Sequence, residues 1–312
     1  MKALIIGGAG FVGGYLIREL AGSGYEVHAT CLPSEKISSN DCITHILEIL
    51  DADAVTSIFD EIKPDAVFHL AAQSSVAVSW KKPQLTADIN VKGTINVLEA
   101  MRAAKNQNMK LLLIGSGEEY GFIREGACPL SEEEPLRPGN IYAATKACQG
   151  MLGEIYYRAY KLDIIMVRAF NHSGPGQLPI FVISDFCRQI AEIEKGVRPA
   201  EMSVGNLSAM RDFTDVRDVV RAYRLLTEKG ISGRTYNVGR GKAVSVQYIL
   251  DTALSMAECE ISIRQDSARM RASDIPIIEP DISLINADTG WSAGISMEQT
   301  IRDTLDYWRN NI

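Results

Sequence analysis

The run Ala3-Leu-Ile-Ile-Gly7-Gly-Ala-Gly10-Phe11-Val12-Gly13-Gly-Tyr-Leu16-Ile17-Arg-Glu-Leu20 decides the fold. Its first four residues are continuously apolar, as in a strand buried on both faces, and Phe11, Val12, Leu16, Ile17 and Leu20 then recur at helical spacing. Gly7, Gly10 and Gly13 fall between the two patterns, which predicts strand, tight turn, helix. Such a turn lets backbone amides and the positive end of a helix meet a pyrophosphate with no Cβ in the way. The bland alternative is three turn glycines and nothing more; their place after a buried strand favours dinucleotide binding.

Working outward, the pattern predicts strands at Val27–Cys31, Ile43–Leu50, Ala66–Ala72, Lys110–Gly115 and Asp163–Arg168, with a helix over 88–106. A helix over 215–229 and a strand at Tyr236–Gly239 follow later. Strands alternating with helices imply an α/β fold, a doubly wound parallel sheet of the Rossmann type. Turn formers crowd His172-Ser-Gly-Pro-Gly-Gln-Leu-Pro179, and Arg, Pro and Asp dominate 264–283. These stretches predict a second, smaller α/β substrate domain. The expected division is 1–170 with 212–240 for the dinucleotide-binding domain, and 171–211 with 241–312 for the nucleotide-sugar-binding one.

The chain has 312 residues, 46% hydrophobic and 23% charged, enough for a large core. A formal net charge of -7 argues against nucleic acid as a partner, so any phosphate-bearing ligand has to be gripped locally. Six cysteines without a CxxC pair, and four histidines, suggest no metal site. No secretory leader and no apolar run of membrane-spanning length is visible, so a cytoplasmic chain with no membrane partner is expected.

Tyr142 and Lys146 lie four apart in a helical stretch, so their side chains share one face. An ammonium one turn away is expected to lower the phenol's pKa and to hold the ribose of a nicotinamide cofactor. Ser116 ends the strand before Gly117-Glu118-Glu-Tyr-Gly, at the sheet edge where ligands bind, and can donate to a carbonyl oxygen. Glycine turn, serine, then Tyr-x-x-x-Lys form a constellation for carbonyl chemistry. At the end of the second strand, Val27-His-Ala-Thr30-Cys-Leu-Pro-Ser contains neither the acid that selects NAD nor an arginine for a 2′-phosphate, which points to NADP with NAD possible.

With these motifs the chain resembles the extended short-chain dehydrogenase/reductases, the NAD-dependent epimerase/dehydratase group, and more closely their GDP-sugar branch, over nearly its whole length. The resemblance rests on the glycine spacing and on His69-Leu70-Ala71-Ala72-Gln-Ser-Ser75, Asn90-Val-Lys-Gly-Thr, Arg168-Ala-Phe-Asn171-His-Ser-Gly-Pro-Gly-Gln, Val204-Gly-Asn206-Leu, Arg211-Asp-Phe-Thr-Asp and Ala268-Arg-Met-Arg271-Ala-Ser-Asp. It implies that Gly7, Gly10, Phe11, Val12, Gly13, Thr30, Glu48, Ile49, Leu70, Ala71, Ala72, Tyr142 and Lys146 face the cofactor, and that Asn90 supports the lysine. It further implies that Ser75, Asn171 and Asn206 meet the sugar diphosphate region. Phe181, Val182 and Arg188 would line the nucleotide pocket, while Arg211 and Arg271 clamp the diphosphate. For Glu48, Arg188 and Arg211 the competing reading is an ordinary surface charge or ion pair. Ala272, Asp274 and Glu279-Pro280-Asp281 depart from the branch's pattern and put the pocket's detail in doubt.

The reaction implied is NAD(P)H-dependent reduction of the C4 ketone of GDP-4-keto-6-deoxy-D-mannose to GDP-D-rhamnose. Tyr142 would protonate the forming alkoxide, with Ser116 polarising the carbonyl. The rivals are a GDP-sugar 4,6-dehydratase or a 4-epimerase, for which Glu118 matches the dehydratase base while Gly117 stands at the acid's place. A non-catalytic NADP-sensing protein is the alternative outside enzymology. Relatives of this type imply a homodimer through helices near 90–105 and 141–160.

Overall fold

The computed structural model describes residues 1–104, 106, 108–124, 126–266 and 277–312. Through the first part the elements run β1 Lys2–Ile6, α1 Phe11–Gly22, β2 Glu26–Cys31, β3 Ile43–Ile46, α2 Ala52–Ile62, β4 Ala66–His69, α3 Val76–Lys81, α4 Pro83–Ala87, α5 Gly93–Ala103, β5 Lys110–Ser116, α6 Ile141–Tyr160 and β6 Asp163–Ala169. A π-helical turn at Asp88–Lys92 joins α4 to α5, and a 3-10 turn, Gly117–Tyr120, follows β5. Thereafter come β7 Asn171–Ser173, α7 Val182–Glu194, β8 Glu201–Val204, β9 Met210–Asp215, α8 Val216–Lys229, β10 Thr235–Val238, β11 Ala243–Ser245, α9 Val246–Leu254, β12 Ser262–Gln265, β13 Ile277–Ile278, α10 Ser283–Thr289 and α11 Met297–Asn311.

Seven parallel strands form the main sheet in the order β10-β6-β5-β4-β1-β2-β3, so the chain reverses direction between β1 and β4. That reversal opens a crevice at the carboxyl ends of the strands, where ligands of such sheets bind. The continuous apolar run of β1 has a simple cause. Ala3 and Ile5 pack on one face against Leu16, Val219 and Tyr223, while Leu4 and Ile6 pack on the other against Val55, Phe59 and Val97. With helices covering both faces, neither side of the strand needs polar residues.

A second core gathers Ile183, Phe186 and Ile190 of α7 with Met202, Phe213, Leu250, Ile301 and Leu305. Small sheets built from β7, β9, β11 and β13, and from β8 with β12, lie in this part.

Three boundaries differ from the sequence expectation. The third and fourth strands stop at Ile46 and His69, so Glu48, Ile49 and Leu70–Ala72 lie on the loops that leave the sheet. The helix expected over 88–106 starts in its π turn and ends at Ala103, with α3 and α4 ahead of it. The packing also crosses the expected division: Phe213 of β9 lies in the second core, and Ile285 and Trp291 pack in the first.

The last difference is enforced by Asp218 on α8. Its carboxylate accepts from Gly294 N–H at 2.9 Å and Ile295 N–H at 2.8 Å, and its carbonyl accepts from the Trp291 indole at 3.0 Å. Removing that buried acceptor strands two amide donors. Asp218→Ala is expected to lower the unfolding free energy by roughly 2 to 4 kcal/mol in urea titrations; a change within experimental error would show that Asp218 does not fasten this segment.

Candidate active site

Gly10 is the N-cap of α1 and has no side chain to cap it, and no acidic residue sits in the first turn. The first N–H groups of the helix are therefore left for another acceptor, in an electrostatic setting that favours an anion. The turn is tight: a Cβ on Gly13 would stand 2.3 Å from the Gly8 carbonyl oxygen. Thr30 fastens the turn to β2, its hydroxyl accepting from Gly7 N–H at 3.1 Å. The Phe11 ring lies parallel to His172 with centroids 6.4 Å apart, and the Tyr15 hydroxyl donates to the Pro175 carbonyl at 2.7 Å. These contacts tie the turn to the loop after β7. The donor set and the bare helix end fit a dinucleotide pyrophosphate.

At the expected ribose end, Glu48 is exposed and bends back to accept from Leu50 N–H at 3.3 Å, while Ile49 is buried under α5. The sequence reading found no acid at the end of β2. In the fold, Glu35 returns to that end and accepts from Leu32 N–H at 3.0 Å. Its signal was hidden because the turn, rather than the strand, delivers it.

Ser116, Tyr142 and Lys146 are brought together as their spacing predicts. Asn140 caps α6 by accepting from Ala143 N–H at 2.8 Å, which starts the helix just before the tyrosine. Glu118 stands beside Ser116 and Tyr142, its N–H donating to the Ser116 hydroxyl at 3.2 Å and its carboxylate steadied by an Asn140 amide donor at 3.2 Å. Asn90, in the π turn, is fully buried. It accepts from Gln73 N–H at 2.8 Å and donates to the Gln73 carbonyl at 3.1 Å and to Thr145 Oγ1 at 2.9 Å. It thus fixes the loop after β4 to α6 and acts on Lys146 through its neighbour rather than by contact. π turns of this kind recur at functional sites.

One electrostatic expectation is reversed. Burial pushes the Tyr142 phenol up to about 12, and the Glu119 and Glu118 carboxylates add to the rise, against which the Ser116 hydrogen bond works. The Lys146 ammonium does not lower it, because Nζ donates to Gln149 Oε1 at 2.8 Å and faces Glu119. Burial brings the lysine itself down to about 8, opposed by that carboxylate. Neither Glu119 nor Gln149 was singled out from the sequence.

Among the substrate candidates, Asn171 is exposed on β7 and Phe181 is the half-exposed N-cap of α7, with Val182 next to it. Ser75 caps α3, accepting from Val78 N–H at 3.3 Å, and Asn206 shapes its loop by accepting from Ser208 N–H at 3.0 Å. Arg211 donates to the Met210 carbonyl at 2.8 Å. Its neighbouring carboxylates have other partners: Asp212 accepts from Arg240 and Lys242 N–H groups, and Asp215 holds Arg217. Arg188 has partners of its own. It stands half-exposed on α7, and its guanidinium pairs with Glu192 at 2.6 Å one helical turn on and lies over the Trp308 ring. Arg271, with the 268–274 motif, lies outside the described residues. Among the described residues no group of His, Cys, Asp and Glu could hold a metal, and no helix is long and apolar enough to cross a membrane.

A family model described as GDP-mannose 4,6 dehydratase matches residues 4–304. The chain belongs to that family. It is 32% identical to a GDP-6-deoxy-D-mannose reductase of Pseudomonas aeruginosa, over all of this chain and 98% of that protein. It is 29% identical to GDP-mannose 4,6 dehydratase 2 of Arabidopsis thaliana, over 97% of this chain and 86% of that one. The structure of RMD from P. aeruginosa complexed with NADPH superposes with a TM-score of 0.89 at 32% identity, covering all of both chains. UDP-glucose 4-epimerase of Thermotoga maritima, solved with UDP-glucose, gives 0.89 at 27% identity, covering all of this chain and 99% of that one. The chain is therefore a nucleotide-sugar enzyme of the extended short-chain dehydrogenase/reductase type, as its motifs indicate.

Proposed function

We propose that this chain reduces the C4 ketone of GDP-4-keto-6-deoxy-D-mannose, giving GDP-D-rhamnose. The observation that carries the proposal is that Ser116 at the end of β5 and Tyr142 and Lys146 on α6 are brought together, with a phosphate turn fit for a dinucleotide in the same sheet. A full-length match to a reductase of this type supports the choice of reaction. NADPH is the proposed reductant, since the carboxyl end of β2, His28–Cys31, carries no acid and the Pseudomonas relative was solved with NADPH. Glu35 is the acid near that end, and it keeps NADH in the proposal as the second reductant.

When bound, the nicotinamide supplies the hydride for C4. The chain's own part is acid catalysis and positioning. Ser116 donates to the C4 oxygen and sets its place, and Tyr142, in reach of the same oxygen, gives up its proton as negative charge develops there. A phenol kept protonated to high pH is suited to that role. Lys146, one turn further along α6, is proposed to hold the ribose of the cofactor. For the GDP-sugar, Asn171, Phe181, Val182, Ser75, Asn206 and Arg211 are the proposed contacts, Arg211 supplying the fork that diphosphate oxygens need.

A 4,6-dehydratase acting on GDP-mannose is the second reading, favoured by Glu118, whose carboxylate faces Tyr142 and is held by Asn140. All six cysteines are free thiols, which supports a reducing, cytoplasmic setting.

The test is incubation of the purified chain with GDP-mannose and NADPH or NADH, with and without a separate dehydratase. Cofactor oxidation only when the dehydratase is present is the expected result, and 4-keto sugar formed by this chain alone would replace the reductase with the dehydratase. Tyr142→Phe is expected to cut turnover by about 100-fold or more while NADPH still binds.

We also propose a homodimer through α5 and α6. Met151 and Ile155 lie one turn apart on α6 and are more than half exposed, with Trp80 and Leu85 exposed on α3 and α4, which pack against the same helix. These side chains offer apolar surface on α3, α4 and α6 for a second copy of the chain to cover. Sedimentation is expected to show a dimer that Ile155→Asp dissociates; a monomeric parent chain would rule this out.

A further inference from the structure

Behind Ser116 lies a group that the reaction above does not use. Glu119 is 2% exposed, in the 3-10 turn after β5. Its Oε1 accepts from the Ser116 N–H at 2.7 Å, its Oε2 is 3.4 Å from Arg168 Nε, and the Lys146 ammonium faces it from α6. The pocket is shaped for this carboxylate: a Cβ on Gly115 would stand 2.3 Å from Oε1, and Gly150 on α6 leaves Oε2 its room on the other side. We propose that Glu119 is a positioning residue of the catalytic site, a counter-charge shared by Lys146 and Arg168 that keeps the lysine an ammonium and sets the Ser116 hydroxyl.

Two cations in one buried region repel and lose hydration; a carboxylate between them offsets both costs. Arg168, from β6, keeps Nε 3.4 Å from the Glu119 carboxylate without a hydrogen bond, and its Nη1 donates to the Tyr120 hydroxyl at 3.0 Å and the Glu132 carbonyl at 2.8 Å. Lys146 also donates to Gln149, on its own helix, and is approached from β4 by His69, which burial and the lysine's charge keep neutral by bringing its pKa down to about 3. Glu118 and Tyr142 complete the set on the substrate side. Of these groups, Glu119 is the only one whose charge favours the ammonium form of Lys146. Burial acts to raise the carboxyl, and Ser116 N–H, Arg168 and Lys146 all act to hold it ionised. Because the same carboxylate clamps the Ser116 backbone, the charge of the lysine and the aim of the serine are set by one side chain.

The inference rests on Ser116, Tyr142 and Lys146 being the reacting group, as proposed above, but its test does not need the reaction. The titration of Lys146 is followed by NMR of 13Cε-labelled lysine in the cofactor-free protein, with Lys146→Met assigning the signal. In Glu119→Gln, which keeps the shape and loses the charge, the Lys146 midpoint is expected to fall by about one unit or more. Glu119→Asp brings it back toward the parent value. Arg168→Gln leaves the carboxylate to the lysine alone and moves the midpoint upward, so this arm decides the matter if Glu119→Gln does not fold. A midpoint that stays put in the folded variants overturns the inference, because a merely structural glutamate would not move it. The pH at which kcat/KM for the 4-keto sugar declines is expected to follow the NMR midpoint. A chain that shows the NMR shifts but no reductase activity would sink the proposed reaction and leave this inference standing.

Discussion

Two cations, Lys146 on α6 and Arg168 on β6, are buried behind the reacting end of the main sheet, with one carboxylate between them. An unpaired buried charge costs about 3 to 5 kcal/mol, so the three groups have to arrive together. Their meeting requires α6 to lie close against β5 and β6. Gln149 donates to the Ile114 carbonyl at 3.2 Å, and Gly153 passes over Leu113 and Met166. Once the helix is seated at that distance, the phenol of Tyr142 has no place to go but beside Ser116.

The electrostatic consequence concerns which form of the tyrosine is present. Burial and two carboxylates, Glu118 and Glu119, favour the neutral phenol, and the lysine's charge is spent on Glu119 and Gln149. A site of this kind is charged with an acid in advance, which suits a reaction that ends with a proton on the sugar oxygen. The phosphate turn contributes the opposite sign, with a bare helix N-terminus, and the two are joined through the loop after β7 by Tyr15 and His172.

The main sheet was legible because its signals are local. Four apolar residues followed by glycines at fixed spacing, and a tyrosine with a lysine one helical turn later, need no knowledge of distant partners. Glu119, Gln149 and Arg168 were not legible in the same way, since their meaning lies in contacts between β5, α6 and β6 that only the fold creates. The partners of Arg188, Glu192 and Trp308, were likewise not legible, since Trp308 comes from α11. The small sheets escaped notice because strands of two to six residues, such as Ile277–Ile278 and Ala243–Ser245, carry too little alternation to detect. The tie from Asp218 to 294 and 295 is likewise invisible in composition.

The central claim is that Tyr142 stands protonated and ready as an acid before any sugar arrives. Its most direct test is an NMR titration of 13Cζ-labelled tyrosine in the cofactor-free protein, with the Tyr142 signal assigned by its loss in the phenylalanine variant. The account predicts a phenol that holds its proton past pH 10, and a signal that titrates below pH 8 would contradict it.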